Sequence, residues 1–254
     1  MGVVLYCILM LYSFLRIMDV IIPYTLGSWW QNNELRFCLR SLQKNFLDMG
    51  EVYLVGPKPK FIKNVRHIPI DDPWPQSNKA MNIVSKILTM CRRDDISKDF
   101  LFCSDDQVLL KPMKAKDIKP YYTYDLRFHK MDFENEFWKQ CMINTRDTLL
   151  KEGKPCFNYE SHCGKLINRK KFEEIIPKYD YHNTLYPTHS LYFNNVVKDP
   201  QSMPVNYRVF FDKERMDVGM IDGKTWLGYS DLGLSFQLQG KLRELFPTKS
   251  RFEK

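Results

Sequence analysis

Two adjacent carboxylates, Asp105 and Asp106, follow directly after an apolar run from Phe100 to Cys103. A short apolar run of this kind predicts a buried strand. In parallel α/β sheets, ligands bind at the carboxyl ends of the strands. Because Mg²⁺ and Mn²⁺ bind one or two carboxylates together with substrate phosphate oxygens, the pair predicts a cation site for a diphosphate-bearing ligand. An Asp-Asp pair is also common in turns, so the prediction depends on the preceding strand.

A second group of polar residues lies on the first predicted helix, at residues 32–46. Asn33, Arg36 and Arg40 share the helix face opposite a leucine-rich stripe. Their side chains could reach the base, ribose or phosphate oxygens of a nucleotide. From spacing alone, an exposed charged face that includes Glu34 explains the same pattern and is favoured.

A third group surrounds Glu160 and His162, which are two residues apart and would share a face of an extended segment. Either could act as a general base on a hydroxyl group or as a metal ligand. Lys165 and His189 are additional candidates. The alternative is a polar loop with hydrogen-bonded side chains, and a single histidine in a short helix is more often structural.

The elements that must position these residues alternate along the first half of the chain. Strands at 19–23, 51–55, 65–70 and 99–103 alternate with helices at 32–46 and 77–93. This order predicts parallel βαβ units. The less regular second half has predicted helices at 133–152, 169–176, 188–197 and 234–245, with strands at 207–212 and 224–229.

The chain is predicted to form one domain over residues 18–254, preceded by an apolar extension at 1–17. Residues 18–112 would be a nucleotide-sugar-binding half and residues 113–254 an acceptor half. The apolar run 3–15 is shorter than the roughly 20 residues that a membrane-spanning helix needs, and a signal-peptide pattern is absent from it. We expect a cytoplasmic protein, with weak membrane association through residues 3–15 as the alternative.

The bulk composition narrows the function classes without choosing one. The net charge of +8 is compatible with a polyanionic partner, including nucleic acid, but the lysines are dispersed. Seven cysteines without a CxxC pair indicate buried, reduced thiols. The sequence has no Walker loop, GxGxxG, HExxH or GxSxG motif, which counts against the commonest nucleotide-triphosphatases, dehydrogenases, zincins and serine hydrolases.

In order along the chain, several segments resemble the Stealth-type sugar transferases, as well as small phage and bacterial glycosyltransferases. They are Asp19 to Ser28, Asn33 to Leu42, Val52 to Gly56, Phe100 to Asp106 and Glu160 to Phe172. The Stealth family includes bacterial capsular polysaccharide phosphotransferases and the catalytic subunit of N-acetylglucosamine-1-phosphotransferase. The match spans roughly residues 18 to 195.

The resemblance implies an α/β, GT-A-like fold: a Rossmann-type, mostly parallel sheet flanked by helices, with an irregular C-terminal acceptor half. It implies a nucleotide-sugar donor, with a UDP-sugar favoured, and Mn²⁺ or Mg²⁺ at Asp105 and Asp106. It also raises the expectation that Arg36 and Arg40 bind the donor. The predicted nucleotide-sugar-binding residues are Tyr24, Thr25, Asn33, Arg36, Arg40, Ser104 and Asp105.

The function expected from these observations is metal-dependent transfer of a sugar to a hydroxyl acceptor, with Glu160 and His162 as the catalytic candidates. The acceptor is expected to be a glycan or a hydroxylated DNA base, and no obligate protein partner is inferred. One alternative is sugar-1-phosphate transfer. Ser104 weighs against that chemistry because phosphotransferases of the family usually have Asn there. The other alternative is a non-catalytic nucleic-acid-binding protein.

Overall fold

The computed structural model describes residues 18–75, 78–214 and 216–254, and these form two sheets flanked by helices. The larger sheet has five strands in the order β3-β2-β1-β4-β6, and the smaller has three in the order β5-β8-β7. The strands are β1 Met18–Pro23, β2 Met49–Val55, β3 Arg66–Ile68, β4 Asp99–Phe102, β5 Gln107–Leu109, β6 Lys165–Asn168, β7 Arg208–Phe211 and β8 Trp226–Tyr229. The helices are α1 Asn33–Asn45, α2 Lys79–Cys91, α3 Glu136–Lys151, α4 Arg169–Ile175, α5 Ser190–Val196 and α6 Phe236–Leu245.

The central strand β1 is buried on both faces of the larger sheet. Val20 and Ile22 pack with Leu35 of α1, while Ile21 packs with Val84 of α2. Strands β1 to β4 are parallel, and β6 runs antiparallel to β4. A sheet covered by helices on both faces needs apolar residues at every position of its central strands, which explains the continuous apolar run in β1.

The chain crosses from the larger sheet to the smaller one immediately after β4. Cys103 to Asp106 form this crossing, and β5 then pairs antiparallel with β8, with Gln107 opposite Gly228. Leu238 of α6 packs against Leu227, which closes the other side of the smaller sheet. The two predicted metal-binding carboxylates therefore lie at the junction of the sheets.

The predicted α/β fold class is confirmed, and the predicted strands and helices are found within a few residues of their expected ends. Strands β5 and β6 were not predicted. Both are only three or four residues long, too short to show an apolar alternation. In addition, β6 begins and ends with the polar residues Lys165 and Asn168. Their strand conformation depends on pairing with β8 and β4.

Two smaller expectations concern the cysteines and the apolar N-terminal run. Each of the six described cysteines is buried and free, as predicted. The run 3–15 lies outside the described residues. Within the part of the chain that the structure describes, none of the helices has the length and apolar character required to cross a membrane.

Candidate active site at the junction of the two sheets

His162 faces Asp106 across the sheet junction, with 3.6 Å between His162 Nδ1 and Asp106 Oδ2. The His162 ring stacks on Phe210 with 4.2 Å between ring centroids. A Cβ atom at Gly228 would lie 2.7 Å from His162 Cβ, so only glycine allows this approach. The stack and the glycine together hold the imidazole beside Asp106.

The backbone at His162 is left-handed, with a φ of 41°. This conformation is uncommon for a residue other than glycine. It also means that the segment is not extended at His162. The expectation that Glu160 and His162 share a face by strand alternation is therefore wrong.

The surroundings of Asp105 disfavour its charged form. Burial, together with the nearby carboxylates of Asp106 and Glu34, raises the pKa of Asp105 to about 8. Asp106 Oδ1 is buried and has no hydrogen-bond partner. Because a buried polar atom without a partner is costly, these two side chains are arranged for a ligand that brings positive charge or hydrogen-bond donors.

Glu34 extends this cluster from α1. It is only 4% exposed, and Ser28 Oγ donates a 2.5 Å hydrogen bond to its Oε2 while Oε1 has no partner. Burial raises the pKa of Glu34, and nearby Asp231 and Asp106 add to the shift, although the Ser28 hydrogen bond opposes it. The sequence pattern favoured an exposed position for Glu34, but α1 packs this part of its surface toward the junction.

Two tyrosine hydroxyl groups complete the cluster. The hydroxyl groups of Tyr24 and Tyr229 are buried without a hydrogen-bond partner. Burial raises the pKa of both phenols, and the nearby carboxylates Asp105 and Glu34 raise it further. Both phenols therefore stay neutral at pH 7 and can donate a hydrogen bond to an anionic ligand.

The cluster fits a divalent cation only if a ligand completes the coordination. Among residues 18–75, 78–214 and 216–254, no group of three or more His, Cys, Asp or Glu side chains is arranged to hold a metal ion. Mg²⁺ and Mn²⁺ at nucleotide sites, however, use one or two carboxylates plus substrate phosphates. The unpartnered oxygen of Asp106 and the adjacent Asp105 fit that type of site.

The predicted nucleotide-sugar-binding residues Thr25, Asn33 and Ser104 lie in the surrounding loops and at the start of α1. Thr25 is exposed in the loop after β1. Asn33 Nδ2 donates a 2.6 Å hydrogen bond to the carbonyl oxygen of Trp30, which closes that loop. The amide of Ser104 donates to Gln107 Oε1 at 3.2 Å, so it shapes the turn that presents Asp105.

Arg36 and Arg40, which are predicted to reach the nucleotide sugar, both bind Glu253. Arg36 Nη1 and Arg40 Nη2 lie 2.9 Å and 2.7 Å from Glu253 Oε2. Burial alone would raise the pKa of Glu253, but hydrogen bonds from Arg40, the Ser250 amide and Arg36 lower it to about 2. These arginines hold the C-terminal segment on α1.

Glu160 caps the start of α5. Its Oε1 accepts hydrogen bonds from the amides of His189 and Ser190 at 2.7 Å and 2.6 Å. Carboxylates are favoured at helix N-termini because they satisfy free amide groups. The structure thus uses Glu160 to position His189, while Lys165 is buried and donates to Ser161 Oγ.

His189 is 6% exposed, and its Nδ1 has no hydrogen-bond partner. Its ring packs edge-on against Phe102 of β4, with 4.5 Å between ring centroids. Burial lowers the pKa of His189 well below its ordinary value, and nearby Lys165 and His162 lower it further. The imidazole is therefore neutral at pH 7.

The sequence analysis missed Lys86, a buried lysine on α2. Lys86 Nζ donates a 2.7 Å hydrogen bond to the carbonyl oxygen of Tyr24 and lies 2.6 Å from Asp72 Oδ1. It thereby holds the carboxyl end of β1, where Tyr24 joins the cluster. A single lysine in an amphipathic helix has no local signal that indicates such a contact.

Comparison with known proteins identifies the fold. No protein-family model matches the sequence, and no curated protein matches it significantly. An active-site mutant of LgtC aligns over 93% of this chain and 98% of its own, with 11% identity and a TM-score of 0.54. The galactosyltransferase LgtC in complex with donor and acceptor sugar analogs aligns over 92% and 98%, with 12% identity and a TM-score of 0.53.

At this level of identity the likeness concerns the fold alone. The predicted resemblance to the Stealth-type family in particular stays a prediction. The alignments with the LgtC structures extend over nearly the whole length of both chains. The chain therefore has the GT-A-like α/β fold.

Proposed function

We propose that this chain is a metal-dependent glycosyltransferase that moves a sugar from a nucleotide-sugar donor, with a UDP-sugar favoured, to a hydroxyl acceptor. The observation that carries the proposal is the buried, unpartnered Oδ1 of Asp106 beside Asp105 and His162. These groups lie past the carboxyl end of β4, the edge at which parallel α/β sheets bind ligands. The GT-A-like fold supports the same conclusion.

In this proposal Asp105 and Asp106 would hold Mn²⁺ or Mg²⁺, with His162 beside Asp106. The cation would neutralise the diphosphate as it leaves the sugar. Tyr24 and Tyr229 donate hydrogen bonds to the anionic part of the donor because their neutral hydroxyl groups have no other partner. The first half of the chain supplies the carboxylates, and the second half supplies His162 and Tyr229.

His189 is proposed to orient a substrate hydroxyl group. Its lowered pKa makes the imidazole a weak base, so we assign it a hydrogen bond rather than proton abstraction. Glu160 acts through His189 as a positioning residue, because it binds the backbone amides at the start of α5. Thr25, Asn33 and Ser104 lie on the loops along which the nucleotide would approach.

The test is turnover of a nucleotide-sugar panel by the purified chain in the presence of Mn²⁺. UDP release that requires the cation, is abolished by EDTA and is lost in Asp106→Asn supports the proposal. Asp199→Asn is the matched control because Asp199 is exposed. Absence of binding and turnover with every nucleotide sugar, with or without metal, would overturn it.

Product analysis separates the remaining functions. Release of UMP rather than UDP would identify sugar-1-phosphate transfer. Separate incubations with glycans and with hydroxymethylated DNA distinguish the two acceptor classes. Steeply salt-dependent DNA binding that survives Asp106→Asn, without turnover, would identify a nucleic-acid-binding protein.

A further inference from the structure

A basic groove lies between α1 and α6, on the surface of α1 next to Glu34. It is a cavity of about 460 Å³, and its lining includes Trp30, Arg36, Arg40 and Arg243. Trp30 stacks on Phe37 of α1 with 5.1 Å between ring centroids. The Arg243 guanidinium lies 5.4 Å above the Trp30 ring. We call this cavity the arginine groove.

The arginine groove keeps a positive charge after its ion pairs are counted. Arg36 and Arg40 share one carboxylate, Glu253. Within the described ranges, Arg243 has no carboxylate at ion-pair distance, and neighbouring Glu244 pairs with Lys241. Three guanidinium groups and one carboxylate leave the groove suited to an anion.

Two exposed aromatic residues are close in the chain to residues of the groove: Trp29 precedes Trp30, and Phe236 lies on α6 with Arg243. Trp29 is 79% exposed and Phe236 is 88% exposed. Phe236, Gly240 and Arg243 share one face of α6 because they are four and three residues apart. A side chain at Gly240 would meet open space, so this face offers a shallow path about 10 Å long from Phe236 to Arg243.

The groove and the proposed active site use consecutive residues of α1. Trp30 and Asn33 line the groove, and Glu34, the next residue, belongs to the carboxylate cluster. Asp231, in the loop that leads into α6, lies close enough to Glu34 to raise its pKa. The two sites therefore share supporting residues on α1 and in the loop before α6.

We propose that the arginine groove is an acceptor subsite for an acidic oligosaccharide. Sugar rings would stack on Trp29 and Phe236, and a carboxylate would bind the guanidinium fork of Arg243. A nucleic-acid chain is disfavoured because the residual charge is confined to one pocket, whereas nucleic-acid binding uses a row of phosphate contacts. The inference rests on the proposed glycosyl transfer and names its acceptor class.

The direct test is binding of a hyaluronan tetrasaccharide, followed by tryptophan fluorescence and calorimetry. Its carboxyl-reduced counterpart keeps the same rings without the charge, so we expect it to bind about ten-fold more weakly. Arg243→Ala should weaken binding of the acidic form by about the same factor and leave binding of the reduced form unchanged. Phe236→Ala should weaken both forms.

The controls are Phe128→Ala and Arg92→Ala. Phe128 is 81% exposed, and Arg92 is an exposed arginine that pairs with Glu173, so both variants should bind like the parent chain. Equal affinity for the acidic and reduced tetrasaccharides, no effect of Arg243→Ala, or binding of oligo(dT) alone would overturn the proposal.

A turnover measurement separates this inference from the proposed function. Arg243→Ala should raise the KM of the acidic acceptor about ten-fold in Mn²⁺, whereas the control Arg92→Ala should leave donor hydrolysis and this KM unchanged. Donor hydrolysis with an acceptor KM unaffected by Arg243→Ala would refute the acceptor subsite alone. Oligosaccharide binding without any nucleotide-sugar turnover would refute both the proposed function and the acceptor role.

Discussion

Two charged clusters lie against α1, and only in one of them does every carboxylate oxygen accept a hydrogen bond. Around Glu253, two arginines surround a single carboxylate, and each of its oxygens accepts hydrogen bonds. Around Asp106, the carboxylates of Glu34, Asp105 and Asp106 approach one another, and two of their oxygens lack any partner. The helix therefore presents a satisfied charge group on one part of its surface and an unsatisfied one on another.

The difference between the two clusters predicts which substitutions change stability and which change activity. A buried charge that is paired and hydrogen-bonded stabilises the fold only modestly, but removing its partner is costly. An unpaired group of like charges destabilises the chain and persists where a ligand completes it. We therefore expect substitutions around Glu253 to change stability and those around Asp106 to change activity.

The largest expected effect is on activity. Asp106→Asn removes the charge of the carboxylate that we assign to the cation, so donor turnover should fall about 10³-fold. The free energy of unfolding should stay the same or increase, because repulsion with Asp105 is relieved. Initial rates of UDP release and urea denaturation measure the two quantities. A large loss of stability with unchanged turnover would contradict the assignment of Asp106 to the cation.

The next largest effect is on stability. Glu253→Gln keeps the shape of the side chain but leaves Arg36 and Arg40 without a counter-charge, so the free energy of unfolding should fall by about 3 kcal/mol. Urea denaturation measures it. Glu244→Gln is the matched control: its pair with Lys241 is exposed and should contribute less than about 1 kcal/mol. Equal effects of the two substitutions would contradict the assignment of Glu253.

The same carboxylate predicts a pH dependence. The pKa of Glu253 falls from its ordinary 4.5 in the unfolded chain to about 2 in the folded one. The unfolded chain then binds more protons between these values, so the Glu253 contribution is complete above pH 4.5 and is lost as the pH falls toward 2. The stability difference between the parent chain and Glu253→Gln should shrink over this range in urea titrations. A constant difference would show that Glu253 does not titrate as described.

A smaller effect is expected at Gly228, which packs against His162 beside Asp106. Gly228→Ala would place a methyl group 2.7 Å from His162 Cβ, so it should cost about 2 kcal/mol of stability and also weaken Mn²⁺-dependent turnover by displacing His162. Thermal denaturation and metal titrations of activity measure these effects. Normal stability and metal dependence in Gly228→Ala would show that this packing is not required.

The smallest effect has the opposite sign. Gly240 lies in the interior of α6, and an added Cβ atom meets nothing within 4 Å. Gly240→Ala should therefore stabilise the chain by about 1 kcal/mol through helix propensity. A loss of stability in this variant would contradict the free space that the structure shows around Gly240.

Local patterns were sufficient for the elements of the fold. The apolar run of β1 and the leucine stripe of α1 have periods that a buried strand and an amphipathic helix require, and both elements are found where predicted. The position of Asp105 and Asp106 after an apolar strand also followed from the sequence. Strand β6 did not, because Lys165 and Asn168 become strand residues only by pairing with β4.

The roles of individual charged residues were decided by the tertiary structure. Arg40 and Glu253 are 213 residues apart in the chain, and no local spacing predicts their ion pair. Glu34 and Arg36 are only two residues apart on α1, yet Glu34 joins the carboxylate cluster and Arg36 binds the C-terminal segment. The sequence alone determined that carboxylates end a buried strand. Which charges remain unpaired there depends on burial and on partners that only folding brings together.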